Sequence, residues 1–303
     1  MTRPSIKVRI PATTANLGPG FDCLGLALDL WNQAVVSVEE QGLEIEIQGE
    51  GQDVLPRNGD NQIARAFYYY FEARRLAPPA GLRIICDNRI PLGSGLGSSS
   101  AACLTGLLAA NGLSGAPVTN EEILSLATEM EGHPDNVAAA LQGGLVVVVK
   151  DHEAFLTRRF DVPNLHAAVV IPEINLPTGV ARAALPAQVS LKDAVFNLGR
   201  TALVCDAIRT GDYDLLGKVM VDRLHQPYRL SLIPGGAQAL QAAAQAGASA
   251  AAISGAGPGL IAFSSQAAGK AASAMVEVFT AHHINCRSLL LCSSNQGAVS
   301  VII

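Results

Sequence analysis

The segment IPLGSGLGSSSAACLTGLLAAN, Ile90 to Asn111, carries Gly93, Gly95 and Gly97, then Ser98, Ser99 and Ser100, then a run rich in Ala and Leu. Glycine is costly in regular structure, so such a cluster marks backbone that bends tightly or approaches something closely. Serines at the mouth of a helix add hydroxyls to amides that have no partner one turn back. The chemistry predicted is anion binding at a helix N-terminus. The segment is not a P-loop, because no Lys-Ser/Thr pair follows its last glycine. It is not the dinucleotide pattern either, since its glycines sit two apart throughout, and no G-x-S-x-G elbow occurs. The alternative at this point is a glycine-rich loop with no ligand.

Other side chains of chemical interest are scattered along the chain. Asn16 and Asp22 bracket NLGPGFD, which by residue type alone is an ordinary turn. His133, Asp135 and Asn136 follow a predicted helix end, where His133 can serve as a cap or packing residue. Arg182 and Arg229 are by type either surface ion-pair residues or guanidinium clamps for a carboxylate. Glu129 and Glu131 are two residues apart, so a helix turns them to nearly opposite faces. Asn61 reads as a helix N-cap. The six cysteines (Cys23, Cys86, Cys103, Cys205, Cys286, Cys292) form no C-x-x-C pair. Their apolar contexts predict reduced, buried thiols in a cytoplasmic protein rather than a metal site.

IKVRI, LALDLWNQAVVSVEE and LEIEIQGE are strand-like, the last alternating apolar and acidic residues. From Asn61, Ile63, Ala66, Phe67 and Tyr70 fall at helical spacing; GLRIICDN returns to strand. A helix is predicted from Ser98 to Asn111. The next opens at Thr119 with Glu122 completing a capping box, and ends at Gly132. DNVAAALQ is a short helix and GGLVVVVK a strand. The charged text KDHEAFLTRRFDV marks a domain boundary, giving domains 1–155 and 156–303. The second half reads strand (LHAAVVIP), helix (191–209), helix (DYDLLGKVMVDRL), helix (GGAQALQAAAQAG), strand, glycine turn, strand, helix (267–282) and two strands. This is α+β with mixed sheets, not strict βαβα alternation.

The 303 residues are 49% hydrophobic and 16% charged, with a net charge of -5, enough for a well-cored two-domain protein. No basic run or aromatic platform points to nucleic acid. The start MTRPSIKVRIPATT lacks an apolar signal core, and no apolar run is long enough to span a membrane.

IPLGSGLGSSSA, Ile90 to Ala101, closely resembles the ATP loop of the GHMP kinases and agrees with the family pattern at every position. PATTANLGPGFDCLGLAL, EGHPDNVAAALQGG, LPTGVARAALP and DRLHQPYRLSLIPG resemble segments of its homoserine kinase branch. SGAGPG, Ser254 to Gly259, is similar to the family's third glycine-rich motif.

The resemblance implies a two-domain fold, with a left-handed βαβ unit in the N-terminal domain, against the usual hand, and a ferredoxin-like C-terminal domain. It implies ATP held by Pro91, Leu92, Gly93, Ser94, Gly95, Leu96, Gly97, Ser98, Ser99, Ser100 and Ala101, with Asn61 at the adenine. A β-branched residue at Gly95 is expected to block the phosphates while the fold survives. Mg²⁺ falls to Ser98 and Glu131, with Glu129 the rival carboxylate. L-homoserine is the implied substrate, with its carboxylate on Arg182 and Arg229 and its ammonium on Asp22. Asn16 is a hydroxyl or amine ligand, and His133, Asp135 and Asn136 line the pocket. Thr178 lies near the reacting phosphate. Asp135 acts either as general base or only to bind and orient substrate; the loose transition state of phosphoryl transfer favours the second. A homodimer is implied as well. The rival readings are a sister kinase for another small alcohol and a catalytically dead metabolite sensor.

Overall fold

The computed structural model describes residues 4–152, 154–266 and 268–303; the predicted start of the last helix, Ala267, lies outside them, as do residues 1–3 and 153. The chain begins with β1 (Ser5–Ala15), β2 (Leu24–Glu39) and β3 (Gly42–Gly49), then α1 (Gln62–Ala73) and β4 (Gly81–Asn88). It continues with α2 (Ser98–Leu113), α3 (Asn120–Glu131), α4 (Asp135–Gln142), β5 (Leu145–Asp151) and β6 (Ala154–Phe160). In β3 the alternation works as expected: Ile45 and Ile47 are buried, while Glu44 and Glu46 meet Arg83 of β4 outside. β3 and β4 run parallel with α1 between them, forming the βαβ unit.

β2 organises the first sheet. It pairs antiparallel with β1 along its length, with β4 over Gln33–Glu39 and with β5 over Leu24–Leu26. α2 and α4 pack on β1 and β2, and α1 packs on α2. α2 is buried from Ser100 to Ala110 except at the partly buried Ala102, which explains why its Ala/Leu run shows no polar face.

The second half comprises β7 (His166–Pro172), α5 (Thr178–Ala183), α6 (Leu191–Thr210), α7 (Tyr213–Val219), α8 (Gln226–Arg229) and α9 (Gly236–Gln245). β8 (Ala250–Ile253), β9 (Leu260–Phe263), α10 (Ala268–Ala281), β10 (Cys286–Cys292) and β11 (Val299–Ile302) follow. Its antiparallel sheet has the order β10-β7-β9-β8, the ferredoxin-like arrangement expected. α10 packs on β7 and β10 and against α9. β11 leaves this domain and pairs with β1.

Three local readings differ from the structure. The division between residues 155 and 156 falls inside β6, which pairs with β5, so the change of sheet comes between Phe160 and His166. The charged text forms most of the β5–β6 hairpin. The helix predicted over DYDLLGKVMVDRL stops at Val219, because the Asp222 carboxylate takes the amides of Leu224, His225 and Gln226. The short helices α5 and α8 have no sequence pattern long enough to announce them.

The cysteines are free thiols. Burial pushes Cys23 and Cys205 up to about 11 and Cys86 up to about 12, the inert end of thiol behaviour. Among the described residues no helix is long and apolar enough to cross a membrane.

Candidate active site

A cleft of about 1010 Å³ runs between the two domains, the upper end of small-ligand sites. One end is the start of α2. Gly97 occupies the N-cap in the left-handed region, φ 72, and offers no side chain to the helix amides. The first-turn amides at Ser98, Ser99 and Ser100 therefore face the cleft without intrahelical partners. Only glycine fits at Gly97, since a Cβ would lie 2.2 Å from the Thr13 hydroxyl. Pro91, Leu92, Gly93, Ser94 and Gly95 line the same end. Ser94 is itself buried, donating to the Pro91 carbonyl at 2.7 Å.

The loop is held from the other domain. The Ser254 hydroxyl donates to the Gly95 carbonyl at 2.7 Å, and the Gly255 amide to the Ala15 carbonyl at 3.2 Å. The third glycine motif is thus a clamp on the first.

Three residues assigned to the nucleotide lie elsewhere. Leu96 and Ala101 are buried in the core of the first domain. Asn61 is buried and caps α1: its Oδ1 accepts from the Ile63 amide and its Nδ2 donates to the Pro56 carbonyl. Both ends of that amide are engaged, so the N-cap reading wins. Its neighbour Gln62 lines the cleft instead.

Glu131 reaches back over the helix start, accepting from Ser99 Oγ at 2.8 Å, Ser100 Oγ at 3.0 Å and Gln62 Nε2 at 3.1 Å. Glu129 is exposed on the far face and bonds the Tyr69 hydroxyl. Glu131 and Ser98 line the cleft and Glu129 does not. A carboxylate and a hydroxyl beside a phosphate site are hard oxygen donors of the kind Mg²⁺ takes together with substrate phosphates.

The other end is charged. Asp22 lies at φ 55, and Asn16 and Leu17 before it are also left-handed, at 69 and 48. Such backbone persists only where its surroundings fix it. Here the Asn16 Nδ2 donates to the Gly255 carbonyl at 2.7 Å, while its Oδ1 accepts from the Asp22 amide at 3.0 Å. Asn16 lines the cleft, but its side chain works chiefly as a tie. Asp22 faces Arg182 of α5, whose Nη1 and Nη2 donate to the two carboxylate oxygens at 2.7 and 2.9 Å. Thr178 stands exposed four residues earlier, one turn up the same helix face.

Arg229 is only 1% exposed. It touches the Ala181 and Gly255 carbonyls at 3.4 and 3.3 Å and His225 Nδ1 at 3.4 Å, all long bonds, and makes no ion pair among the described residues. Burial pulls its pKa down, opposed by Asp22, Asp135 and Asp222, while Arg182 adds to the fall. A buried guanidinium so loosely held is a strong site for an anion. Phe21 packs against both arginines, its ring 5.6 Å from the Arg182 guanidinium and 5.1 Å from that of Arg229.

Asp135 is buried at the start of α4. Its Oδ1 accepts from the Asn136 amide at 2.7 Å and faces His133 Nδ1 at 3.2 Å. That bond is the main cause of a raised His133 pKa, ahead of the opposing effect of burial. Asn136 Oδ1 accepts from Thr13 Oγ1 at 2.8 Å beneath Gly97.

Two family models match the chain: the GHMP kinases N terminal domain over residues 61–144 and the GHMP kinases C terminal domain over residues 205–281. The chain belongs to the GHMP kinase family. It is 46% identical over 295 residues to the homoserine kinase of Moorella thermoacetica, covering 97% of this chain and 99% of that one. It is 41% identical to the homoserine kinase of Carboxydothermus hydrogenoformans, covering 97% and 96%. The crystal structure of homoserine kinase from Cytophaga hutchinsonii superposes with a TM-score of 0.86 at 33% identity, covering 99% and 98%.

Sequence reasoning about this GHMP kinase misses Thr13, Phe21 and His225, which pack directly on the predicted site residues. Each sits inside a quoted segment as an ordinary core or turn residue, with only its adjacency to Asn16, Asp22 or Arg229 as signal.

Proposed function

We infer that the protein is an ATP-dependent homoserine kinase, transferring the γ-phosphoryl group of ATP to the side-chain hydroxyl of L-homoserine, a step of threonine biosynthesis. What carries the reading is the charge pattern opposite the α2 start: Asp22, Arg182, Arg229 and Asp135 share one end of the cleft. Homoserine is a short zwitterion with a terminal hydroxyl. Its ammonium suits Asp22, and its carboxylate suits the two guanidinium groups. A mevalonate-type alcohol has no ammonium for Asp22.

The hydroxyl oxygen bonds to phosphorus as the bond to the β,γ-bridging oxygen breaks, and the electron pair leaves with ADP. The chain's task is orientation and charge stabilisation. The α2 amides and the Ser98 hydroxyl face the phosphates, the Ser99 and Ser100 hydroxyls being bonded to Glu131, and Thr178 lies beside the transferred group. The hydroxyl proton goes to the transferred phosphoryl oxygens, with Asp135 binding and orienting the substrate. Ser98 and Glu131 would hold Mg²⁺, which would neutralise phosphate charge.

We place the enzyme in the cytoplasm, in keeping with its free thiols, as a homodimer. The support for a dimer is α6, which exposes Leu191 at 81%, Val195, Leu198 at 70% and Leu203 around Gly199. An antiparallel copy about a two-fold axis at Gly199 sets Lys192 level with Asp206 and Val195 level with Leu203. The test is the mass in solution: a dimer for wild type and a monomer for Leu198→Glu.

The activity test is ADP release with L-homoserine, with mevalonate and with no acceptor. Turnover on homoserine alone is expected. Turnover on mevalonate makes the protein a sister kinase, and turnover on neither makes it a sensor.

A further inference from the structure

His225 is fully buried and is not among the residues lining the cleft, yet both nitrogens of its ring have partners. Its Nε2 lies 2.8 Å from the Gly18 carbonyl and 3.6 Å from Asp222 Oδ2. Both are acceptors, so Nε2 carries the proton. Its Nδ1 lies 3.4 Å from Arg229 Nη1. Arg229 has only donors, so Nδ1 presents a bare lone pair. The ring stacks on Phe21 with centroids 5.2 Å apart, and Phe21 is the surface on which both arginines lie. The backbone is fixed as well, because the His225 amide donates to Asp222 Oδ2 at 2.9 Å.

We propose that His225 is a positioning residue for substrate: as a neutral imidazole donating from Nε2 to Gly18, it offers Nδ1 to Arg229 and aims that guanidinium at the substrate carboxylate. The proposal rests on the functional reading above, since the carboxylate is that of homoserine. Arg229 has no other side-chain acceptor among the described residues; its remaining bonds go to the two carbonyls. Without Nδ1 the guanidinium keeps only long bonds to those two carbonyls.

The charged groups around the ring are consistent with a neutral state. Burial pushes the His225 pKa down and Arg229 pushes it further, against Asp222, Gly18 and Asp22, which raise it. Protonation would turn an N–H of His225 against an N–H of Arg229. The same ring also spans the domains, because Gly18 belongs to the first and Arg229 to the second.

Two amide variants separate the ring's two nitrogens. In His225→Asn the amide ends near the place of Nδ1, and in His225→Gln near that of Nε2. Wild type and both variants are assayed for kcat and KM with homoserine, with ATP and with 3-aminopropan-1-ol, which is homoserine without its carboxylate. His225→Gln is expected to raise the homoserine KM about tenfold, leave the ATP KM unchanged, and leave the poor aminopropanol KM unchanged. His225→Asn is expected to stay within about threefold of wild type on all three. Equal effects of both variants on homoserine, or an equal penalty on aminopropanol, overturn the proposal.

A measurement on the unaltered protein guards against misfolded variants. A ¹⁵N–¹H correlation spectrum at pH 7 should give His225 a protonated Nε2 and an unprotonated Nδ1. The opposite tautomer, or an imidazolium, overturns it. A wild type that does not turn over homoserine sinks the functional reading itself. A wild type that does, beside a His225→Gln variant with an unchanged KM, sinks only the role of His225.

Discussion

Arg182 and Asp22, 160 residues apart, meet across the cleft in a two-pronged ion pair at 2.7 and 2.9 Å. The sequence assigns them to opposite ends of one zwitterion, and in the structure each holds the other. A zwitterion presents the same two charges in reverse, an ammonium for Asp22 and a carboxylate for Arg182. The pair is partly exposed, at 41% and 32%, so little stability depends on it.

Replacing either arginine therefore costs affinity alike but stability unequally. Arg182→Ala and Arg229→Ala each lose charge-assisted bonds worth about 1.5–3 kcal/mol, or roughly ten- to hundredfold in homoserine KM. Arg182→Ala should lower unfolding free energy by no more than about 1 kcal/mol. Arg229→Ala removes the donor to the Ala181 carbonyl and opens a void, so about 1–3 kcal/mol is expected. Urea midpoints and KM values for both substrates test this, and a rise in the ATP KM speaks against a carboxylate clamp.

The glycine loop revises one expectation. A Cβ on Gly95, at φ +75, would lie 2.1 Å from the Ser254 carbonyl oxygen. Gly95→Val therefore separates the loop from its clamp, lowering stability together with ATP affinity. At Gly93, φ +59, a Cβ would have nothing within 4 Å, so Gly93→Ala adds only backbone strain of about 1–3 kcal/mol. It should raise the ATP KM with the homoserine KM unchanged. A wild-type ATP KM in Gly93→Ala counts against the phosphate cradle.

The two carboxylates of α3 are separable by metal titration. Glu131→Gln should raise the Mg²⁺ concentration for half-maximal activity by about tenfold or more, the usual cost of losing a charged ligand. Glu129→Gln, altering a surface bond to Tyr69, should leave it unchanged. The reverse pattern moves the metal to the other face of the helix.

His133 titrates beside the Asp135 carboxylate, 3.2 Å away. The bond to Asp135 raises the His133 pKa. Its stabilising effect is thus complete below the ordinary histidine value, about 6.5, and is lost as pH rises through the higher folded value. In Asp135→Asn the His133 resonance should titrate at a lower pH. The same variant should keep measurable turnover with a raised homoserine KM. A fall in kcat of roughly 10²–10⁴-fold at unchanged KM, with loss of the acidic limb between pH 5 and 9, makes Asp135 the general base instead.

Long periodic elements are legible because each repeats one rule many times. The capping box at Thr119 and Glu122, the α1 face and the α2 start all lie where the spacing puts them. What the spacing leaves open depends on side chains meeting across the cleft. Nothing local to Asp22 names Arg182 as its partner, and the N-cap pattern at Asn61 does not show that its Nδ2 is taken by the Pro56 carbonyl. The end of α7 is hidden for a related reason: Asp222, which takes three amides from the chain beyond α7, is held at 2.6 Å by Asn197 of α6.

β11 sets Ile302 beside Ile6 and Val299 beside Arg9, at the edge of the first sheet. Residues 299–302 emerge from the ribosome long after the rest of that sheet. Throughout synthesis of the second domain, the outer edge of β1 is a row of unpaired backbone donors and acceptors, the kind of surface on which nascent chains join one another. The glycine loop before α2 is tied to the same strand through the Thr13 amide and the Leu96 carbonyl, 3.1 Å apart. A polypeptide halted before residue 299 leaves that edge uncovered, and the glycine loop tied to β1 is among the last parts of the molecule to become rigid.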